Sequence, residues 1–260
     1  MLAMTVTKNS LAPLMPLSEH LDELRGRLIW CLVAVVVCTI AGFYGVETII
    51  KWLKDAGRVK DVLIVIKPVE VVSVYVKVAL SVGTLLASPV IGWHTWRFLT
   101  PALSEQLRRS LPWWIISIIL LFFSGVAFAT FVLIPAAYGF LMSLTRAVAQ
   151  PMITLNSYIS FVLAIMLSCG FVFEMPAVAA ALAQAGIITA SMMRARRREA
   201  IFGLAVTAAV ITPTTDVFNM LIFLAPMLAL YEVSILVVAR AGRSRMMDEG
   251  GHYGYDETYR

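Results

Sequence analysis

Charged residues, histidine and cysteine are scarce in this sequence. Of its 260 residues 14% are charged, three are cysteine and three are histidine, whereas about 25% of an ordinary soluble domain is charged. Cys31, Cys38 and Cys169 fall inside apolar runs without CxxC or Cys/His spacing, so neither a disulfide framework nor a zinc site is indicated. His20 and His94 also lack partners at metal-ligand spacing. We therefore predict no metal site.

Motifs of catalysis are missing as well. The chain contains no glycine-rich phosphate loop, no nucleophile elbow and no HExxH sequence. It also shows no internal repeat and no inverted pair of broken helices, which counts against a secondary-transporter fold. These absences predict a protein that is not an enzyme and that holds no cofactor.

Long hydrophobic runs dominate what is present. Hydrophobic residues make up 60% of the chain and the mean hydropathy is +0.85, against about 45–50% apolar residues in soluble domains. Because a membrane-spanning helix needs about 20 apolar residues, the runs predict an all-α, polytopic membrane protein with six spans. These are predicted at 28–46, 71–96, 112–135, 158–183, 200–212 and 217–238. The last two are short, since the fifth run measures only about 20 Å as a helix against a hydrocarbon core of about 30 Å.

Basic residues set the predicted orientation of these spans. The formal net charge of +5 is explained by topology-determining Lys and Arg, and no nucleic-acid partner is predicted. Most of these residues lie in the N-terminal, second, fourth and C-terminal connections, so both termini are assigned to the cytoplasm. The first outer loop weakens the assignment, because it carries Lys51, Lys54, Arg58, Lys60 and Lys67. Tryptophans at the proposed cytoplasmic ends support it: Trp30, Trp93, Trp96, Trp113 and Trp114.

Composition divides the chain into three parts. Residues 1–27 are predicted to be a cytoplasmic amphipathic segment, 28–238 the membrane domain, and 239–260 a polar, disordered cytoplasmic tail. Within the membrane domain, region 46–66 alternates apolar pairs with Lys51, Trp52 and Lys54, which predicts a helix on the outer membrane surface. Lys77, near the outer end of the second span, is predicted to snorkel to the interface as an anchor.

The segment before the first span presents charge at the cytoplasmic surface. In PLSEHLDELRGRL, leucines recur at helical spacing, which predicts an amphipathic helix. One interpretation is a solvated anchor whose charges pair within the helix, as Asp22 with Arg25 or Glu23 with Arg27. The other is that Glu23 offers its carboxylate to a cationic ligand, for which arginine is suited because its guanidinium binds carboxylates bidentately.

Glu174 is the only charged residue in the apolar run 158–183. An acid at the centre of a membrane helix costs about 2.5–3.5 kcal/mol, so its presence indicates a functional site. Pro176 leaves the carbonyl of Val172 without its helical partner, and Gly170 lies one turn below, which predicts a loosened helix with room for another group. Three roles remain open: a packing hydrogen bond, a contact to a partner helix, and a proton site. The last would make the protein an ion-coupled small-solute transporter, although no other span supplies companion acids.

Four segments, in order, resemble the TatC family, the multispanning core of the twin-arginine protein translocase. They are SEHLDELRGRL, PVIGWHTWRFLTPAL from Pro89 to Leu103, FEMP from Phe173 to Pro176, and ITPTTDVFN from Ile211 to Asn219. The resemblance implies a concave, glove-like scaffold in the inner membrane of a prokaryote. Such proteins bind twin-arginine signal peptides of folded preproteins, associate with one another in a receptor complex, and recruit single-span TatA- and TatB-like partners for export driven by the proton-motive force.

The resemblance also assigns roles by position. Signal-peptide binding would involve Glu23, Arg25, Arg27, Phe98, Pro101, Leu103 and Glu105, and partner docking would involve Glu174, Thr212 and Asp216. One departure affects the first set. Six residues after Pro101 the family usually carries a glutamate, and this chain has Leu107. Glu105 lies two positions earlier, about 200° around a helix axis, so it could substitute only in an irregular loop.

Overall fold

The computed structural model describes residues 17–99, 111–211 and 217–250, which are almost entirely helical. In this part of the chain the only β-type pairing is an isolated parallel bridge between Ile64 and Thr154. In chain order the helices are α1 (Leu17–Phe43), α2 (Val46–Ala56), α3 (Pro68–Leu99), α4 (Leu111–Phe128), α5 (Ile134–Val148), α6 (Leu155–Phe173), α7 (Met175–Gln184), α8 (Ala190–Ala195), α9 (Arg197–Ile211) and α10 (Val217–Gly250), with a π-helical segment, Ala129–Leu133, between α4 and α5.

Five helical stretches are long and apolar enough to cross a membrane. They are Asp22–Phe43, Pro68–Thr95, Trp114–Val148, Leu155–Gln184 and Met220–Arg240. Each coincides with a predicted span, so the all-α, polytopic architecture is confirmed. The remaining predicted span corresponds to α9, which has 15 residues and measures about 22 Å at 1.5 Å per residue. The prediction that this helix is short is therefore confirmed.

Two helix ends differ from the prediction. The third span does not end at Pro135 but continues to Val148. The π-helical segment Ala129–Leu133 directly precedes α5, whose first turn contains Pro135, and such a wide turn accommodates a ring that would break a regular helix. At the other end of the chain, α10 continues to Gly250. Residues 239–250 are therefore helical, while 251–260 lie outside the described residues, and the division into a membrane domain and a cytoplasmic tail stays a prediction.

Glycines bring neighbouring spans into close contact. A Cβ atom added at Gly83 of α3 would lie 2.7 Å from the Cα atom of Thr39 in α1. Likewise, a Cβ atom at Gly125 of α4 would lie 2.6 Å from the carbonyl oxygen of Cys169 in α6. Helices in lipid gain most of their attraction from van der Waals contact, and small residues permit this close approach. The glycines therefore fix how α1 meets α3 and how α4 meets α6.

One end of the bundle is closed by two connections that hydrogen-bond to each other. The Ile64 N–H donates to the Ile153 carbonyl at 2.9 Å, and the Leu155 N–H donates to the Ile64 carbonyl at 2.9 Å. Arg146 Nη2 lies 2.8 Å from both carboxylate oxygens of Asp61. We call this end, formed by α2, residues 57–67 and residues 149–154, the loop face.

Asp61 makes the stability of the loop face depend on pH. The Arg146 guanidinium, and after it the Tyr138 hydroxyl, holds the pKa of Asp61 below its usual value. Such a carboxylate stabilises the fold above its unfolded-state pKa, about 3.9, and this contribution disappears as the pH falls through its folded-state pKa.

We expect Asp61→Asn to lower the Tm of the detergent-solubilised protein at neutral pH, and the difference from the wild type to close in acid. The matched control, Asp55→Asn, changes an exposed acid with no side-chain partner among the described residues; a loss of Tm equal to that of Asp61→Asn would contradict the prediction.

Candidate functional site

Glu174 lies at a break in the fourth span. α6 ends at Phe173 and α7 begins at Met175, and the Glu174 N–H donates to the Phe171 carbonyl at 3.1 Å, three residues back. Pro176 occupies the first turn of α7, where its missing N–H costs least. The predicted loosening of this helix is confirmed, and the joint between its two halves carries the carboxylate.

A pocket of about 200 Å³ opens beside this joint. One wall is α3, the opposite wall is the break between α6 and α7, and α4 lies between them. Apart from Glu174, its lining consists of small, hydroxyl-bearing and apolar residues: Thr84, Ser88, Ile91, Gly92, Thr95, Ile118, Ile119, Phe122, Phe171, Ala177, Val178 and Ala181. The hydroxyls of Thr84 and Ser88 donate to carbonyls of their own helix, at 2.9 and 2.7 Å. The pocket is therefore an apolar groove with one carboxylate at its wall.

The carboxylate of Glu174 is incompletely satisfied. The side chain is half-buried, and its Oε1 atom is buried without a hydrogen-bond partner among the described residues. An acceptor left unpaired in this way costs about 1–3 kcal/mol. A donor on a ligand or a partner helix would remove that cost, so this oxygen favours a contact with another molecule over an internal packing bond.

Glu174 has no companion for proton relay. Among the described residues that line the pocket it is the only ionisable one. A relay needs further titratable groups at hydrogen-bond distance, as chains of acids and histidines provide in pumps. The geometry of the pocket therefore gives no support to a proton site.

Charged residues of α1 form a second cluster at the opposite end from the loop face. Arg27 Nε donates to Glu23 Oε1 at 3.1 Å, and Arg27 Nη2 contacts the same oxygen. The other Arg27 amino group, Nη1, donates to the His94 carbonyl in α3 at 3.2 Å. The predicted pairing of Glu23 with Arg27 is confirmed, whereas Arg25 is exposed. Arg27 thus connects the charged part of α1 to α3.

The Glu23–Arg27 pair and the groove that contains Glu174 are connected along α3. Thr84 and Thr95 lie at opposite ends of the wall that α3 gives to the groove, about 16 Å apart at 1.5 Å per residue. His94, whose carbonyl binds Arg27, directly precedes Thr95. The carbonyl that binds Arg27 is therefore one residue along α3 from the end of the groove, and Glu174 lines the same groove.

Other residues proposed from the sequence cannot be placed in this geometry. Phe98 lies in the last turn of α3, and nothing is described of its side chain. Five further residues lie outside the described part of the chain: Pro101, Leu103, Glu105, Thr212 and Asp216.

Lys77 has a role that the sequence does not predict. Its Nζ donates to Asn156 Oδ1 at 2.7 Å and to Ser160 Oγ at 2.8 Å, so it joins α3 to α6. The prediction of a snorkelling anchor is therefore wrong. Asn156 and Ser160 lie four residues apart on one face of α6, which is the only trace of this contact in the sequence.

Comparison with known proteins gives consistent matches over most of the chain. The family model described as "TatC: Sec-independent protein translocase protein (TatC)" matches residues 19–226. The Sec-independent protein translocase protein TatC of Aquifex aeolicus (strain VF5) is 37% identical over 236 residues, which cover 89% of this chain and 98% of that protein. TatCy of Bacillus subtilis (strain 168) is 34% identical over 231 residues, covering 88% and 91%. A solved structure described as "Crystal Structure of Twin Arginine Translocase Receptor- TatC" aligns with a TM-score of 0.77 at 35% identity, covering 85% of this chain and 99% of that one.

Proposed function

Because the chain belongs to the TatC family of Sec-independent protein translocase proteins, we propose that it is the receptor of a twin-arginine translocase. In this role it binds twin-arginine signal peptides of folded preproteins at the cytoplasmic face and docks single-span TatA- and TatB-like partners for export driven by the proton-motive force. We do not propose the alternative, an ion-coupled solute transporter, since members of this family are components of a protein translocase.

Continuity between the charged pair and the groove is the observation that carries this proposal. A signal peptide places arginines before an apolar stretch. Its guanidinium groups can meet Glu23 at the surface while the apolar stretch follows α3 from Thr95 toward Thr84. The wall of about 16 Å matches about 11 helical residues.

Glu23 is the more accessible member of its pair. Its side chain is 31% exposed, against 14% for Arg27, so an incoming cation reaches Glu23 first. An incoming arginine offers two parallel N–H groups to the carboxylate. Arg27 then keeps its hydrogen bond to the His94 carbonyl, so α1 remains attached to α3 during the exchange.

The groove is also where we place partner docking. A single-span helix that enters it can donate a hydrogen bond to Glu174 Oε1, which has no partner among the described residues. The short helix α9 serves in this proposal as the fifth of six spans. Both termini then lie in the cytoplasm, Thr212 and Asp216 contribute to partner docking, and copies of the chain associate in the receptor complex.

Crosslinking tests the receptor function. A photoreactive residue replaces Leu24, an exposed neighbour of Glu23 on α1, and a second replaces Gln106, the neighbour of Glu105 in the sequence. We expect a twin-arginine peptide to label position 24 about tenfold more than a twin-lysine peptide, because the bidentate, charge-assisted bond contributes about 1.5 kcal/mol or more. Glu23→Ala should remove this preference.

The matched control places the photoreactive residue at Tyr44, an exposed position at the other end of α1. It should not be labelled by either peptide. Equal labelling of position 24 by both peptides would contradict a selective receptor. Arginine-dependent labelling at position 106 that Glu105→Ala removes would assign Glu105 the role left open by Leu107.

A further inference from the structure

The loop face carries basic residues that the proposed function does not use. Spans are oriented with Lys and Arg on the cytoplasmic side, yet five of these residues lie between α1 and α3, on the opposite side: Lys51, Lys54, Arg58, Lys60 and Lys67. Neither the signal-peptide site nor the groove includes any of them.

Three of the four acidic residues of the same region, all but the exposed Asp55, are held by the protein. Glu47 accepts a hydrogen bond from the Tyr75 hydroxyl at 2.9 Å, and Asp61 is bound by Arg146. Glu70 accepts two backbone N–H groups, at 2.9 and 3.1 Å. Three carboxylates that could neutralise the basic residues are therefore engaged elsewhere.

The basic residues remain available. Lys51, Arg58, Lys60 and Lys67 are exposed, and no carboxylate among the described residues forms a salt bridge with them. Arg58 adopts a left-handed backbone conformation, with φ of 54°, directly after α2. The loop face consequently presents net positive charge to its surroundings.

Apolar side chains are exposed beside these charges. Val62 is 83% exposed, Ile66 67% and Val69 75%. The Trp52 ring of α2 meets the Phe131 ring edge to face, with centroids 6.4 Å apart. Phe131 is itself exposed and belongs to the third span, so Trp52 packs against the outward-facing surface of that span. Tryptophan is enriched at the boundary between head groups and acyl chains.

We propose that the loop face binds the phosphate groups of anionic lipids in the adjacent leaflet. Lys51, Arg58, Lys60 and Lys67 supply the charge, while Trp52 and the exposed apolar residues enter the acyl boundary, the combination typical of segments that lie in a membrane interface. A lipid surface fits better than a protein partner, because the first and second spans attach α2 and residues 57–67 to the membrane at both ends. This inference goes beyond the proposed function and holds whichever way the signal-peptide test turns out.

Hydrogen exchange in nanodiscs tests the proposal on the full chain. Amide exchange over residues 58–67 is compared in discs of phosphatidylcholine and in discs that also contain phosphatidylglycerol. Each basic residue near an anionic surface raises the affinity for that surface about fivefold. We therefore expect the amides of residues 58–67 to exchange about fivefold more slowly, or slower still, in discs that contain phosphatidylglycerol. Free glycerol phosphate added to phosphatidylcholine discs should not reproduce the slowing; if it does, the site takes a soluble anion and the lipid proposal is wrong.

Variants show whether the four basic residues cause the slowing of exchange by phosphatidylglycerol. The combined Lys51→Gln, Arg58→Gln, Lys60→Gln and Lys67→Gln protein should lose the effect of phosphatidylglycerol. The matched control, Arg194→Gln with Arg196→Gln and Arg198→Gln around the start of α9, should keep it.

Raising NaCl to about 1 M, where the Debye length is about 3 Å, should abolish the slowing in the wild type without any substitution. Equal exchange in the two kinds of disc, or slowing that survives both the substitutions and salt, would overturn the proposal and leave the basic surface to a protein partner.

Discussion

Replacing Glu174 with alanine is expected to remove most of the binding of a single-span partner. The substitution deletes the one ionisable group among the described residues that line the groove and leaves these walls apolar. A hydrogen bond to a charged group contributes about 1.5–3 kcal/mol, so the affinity should fall about 10- to 100-fold. Glu174→Gln should retain part of the binding because an amide still accepts and donates hydrogen bonds. The measurement is titration of a TatB-like partner into the receptor in nanodiscs, read by fluorescence.

Thermal stability distinguishes partner docking by Glu174 from a role of this side chain in packing. Glu174 Oε1 has no partner among the described residues, so its removal should leave the Tm of the isolated chain unchanged or raised. A side chain that fixes packing would lower the Tm instead. Ser88→Ala is the matched control on the opposite wall, since its hydroxyl already donates to Leu85, and it should bind the partner nearly normally. Unchanged partner affinity in both Glu174 variants would show that the acid does not dock the partner.

The fold and Glu174 could be predicted because their signals are local. A run of about 20 apolar residues has few stable alternatives to a membrane helix, so the five long spans are visible in the sequence. A single acid in such a run is equally visible, and the missing N–H of Pro176 acts on its own helix, which is why the break at Glu174 was predictable.

Features that depend on distant parts of the chain could not be predicted. Lys77 binds residues 79 and 83 positions away, and the sequence alone suggested lipid head groups as its surroundings. Arg27 binds the His94 backbone 67 positions away, a contact that no side-chain pattern records. The continuity between the Glu23–Arg27 pair and the groove follows from this contact, so the site became one surface only in three dimensions.

Boundaries were predicted poorly where a helix deviates from regular geometry. Pro135 is a stop signal by ordinary rules, but the π-helical segment before it lets the third span continue to Val148. Local conformation outweighed the compositional rule there.

The contact between α1 and α3 should be the most sensitive point of the scaffold. α3 is the principal neighbour of α1, and a Cβ atom at Gly83 would lie 2.6 and 2.7 Å from the backbone N and Cα atoms of Thr39. Gly83→Ala should therefore lower the free energy of unfolding by about 1–3 kcal/mol, as overpacking does in other cores. Gly203→Ala is the matched control in α9, where an added Cβ meets nothing within 4 Å; it should be neutral or gain up to about 1 kcal/mol from helix propensity. Both are measured by unfolding in mixed detergent.

A double variant identifies which atoms cause the loss. The Thr39 hydroxyl lies closest to the added Cβ, so Thr39→Ala would rescue Gly83→Ala if the side chain alone were responsible. Because backbone atoms of α1 are also too close, we expect at most partial rescue. Separation of α1 from α3 should also break the contact from Arg27 to the His94 carbonyl. Gly83→Ala should therefore weaken signal-peptide labelling at position 24, although Gly83 lies in the middle of the membrane. Full rescue by Thr39→Ala, or normal labelling in a destabilised Gly83→Ala protein, would show that the α1–α3 contact does not hold the recognition site to the groove.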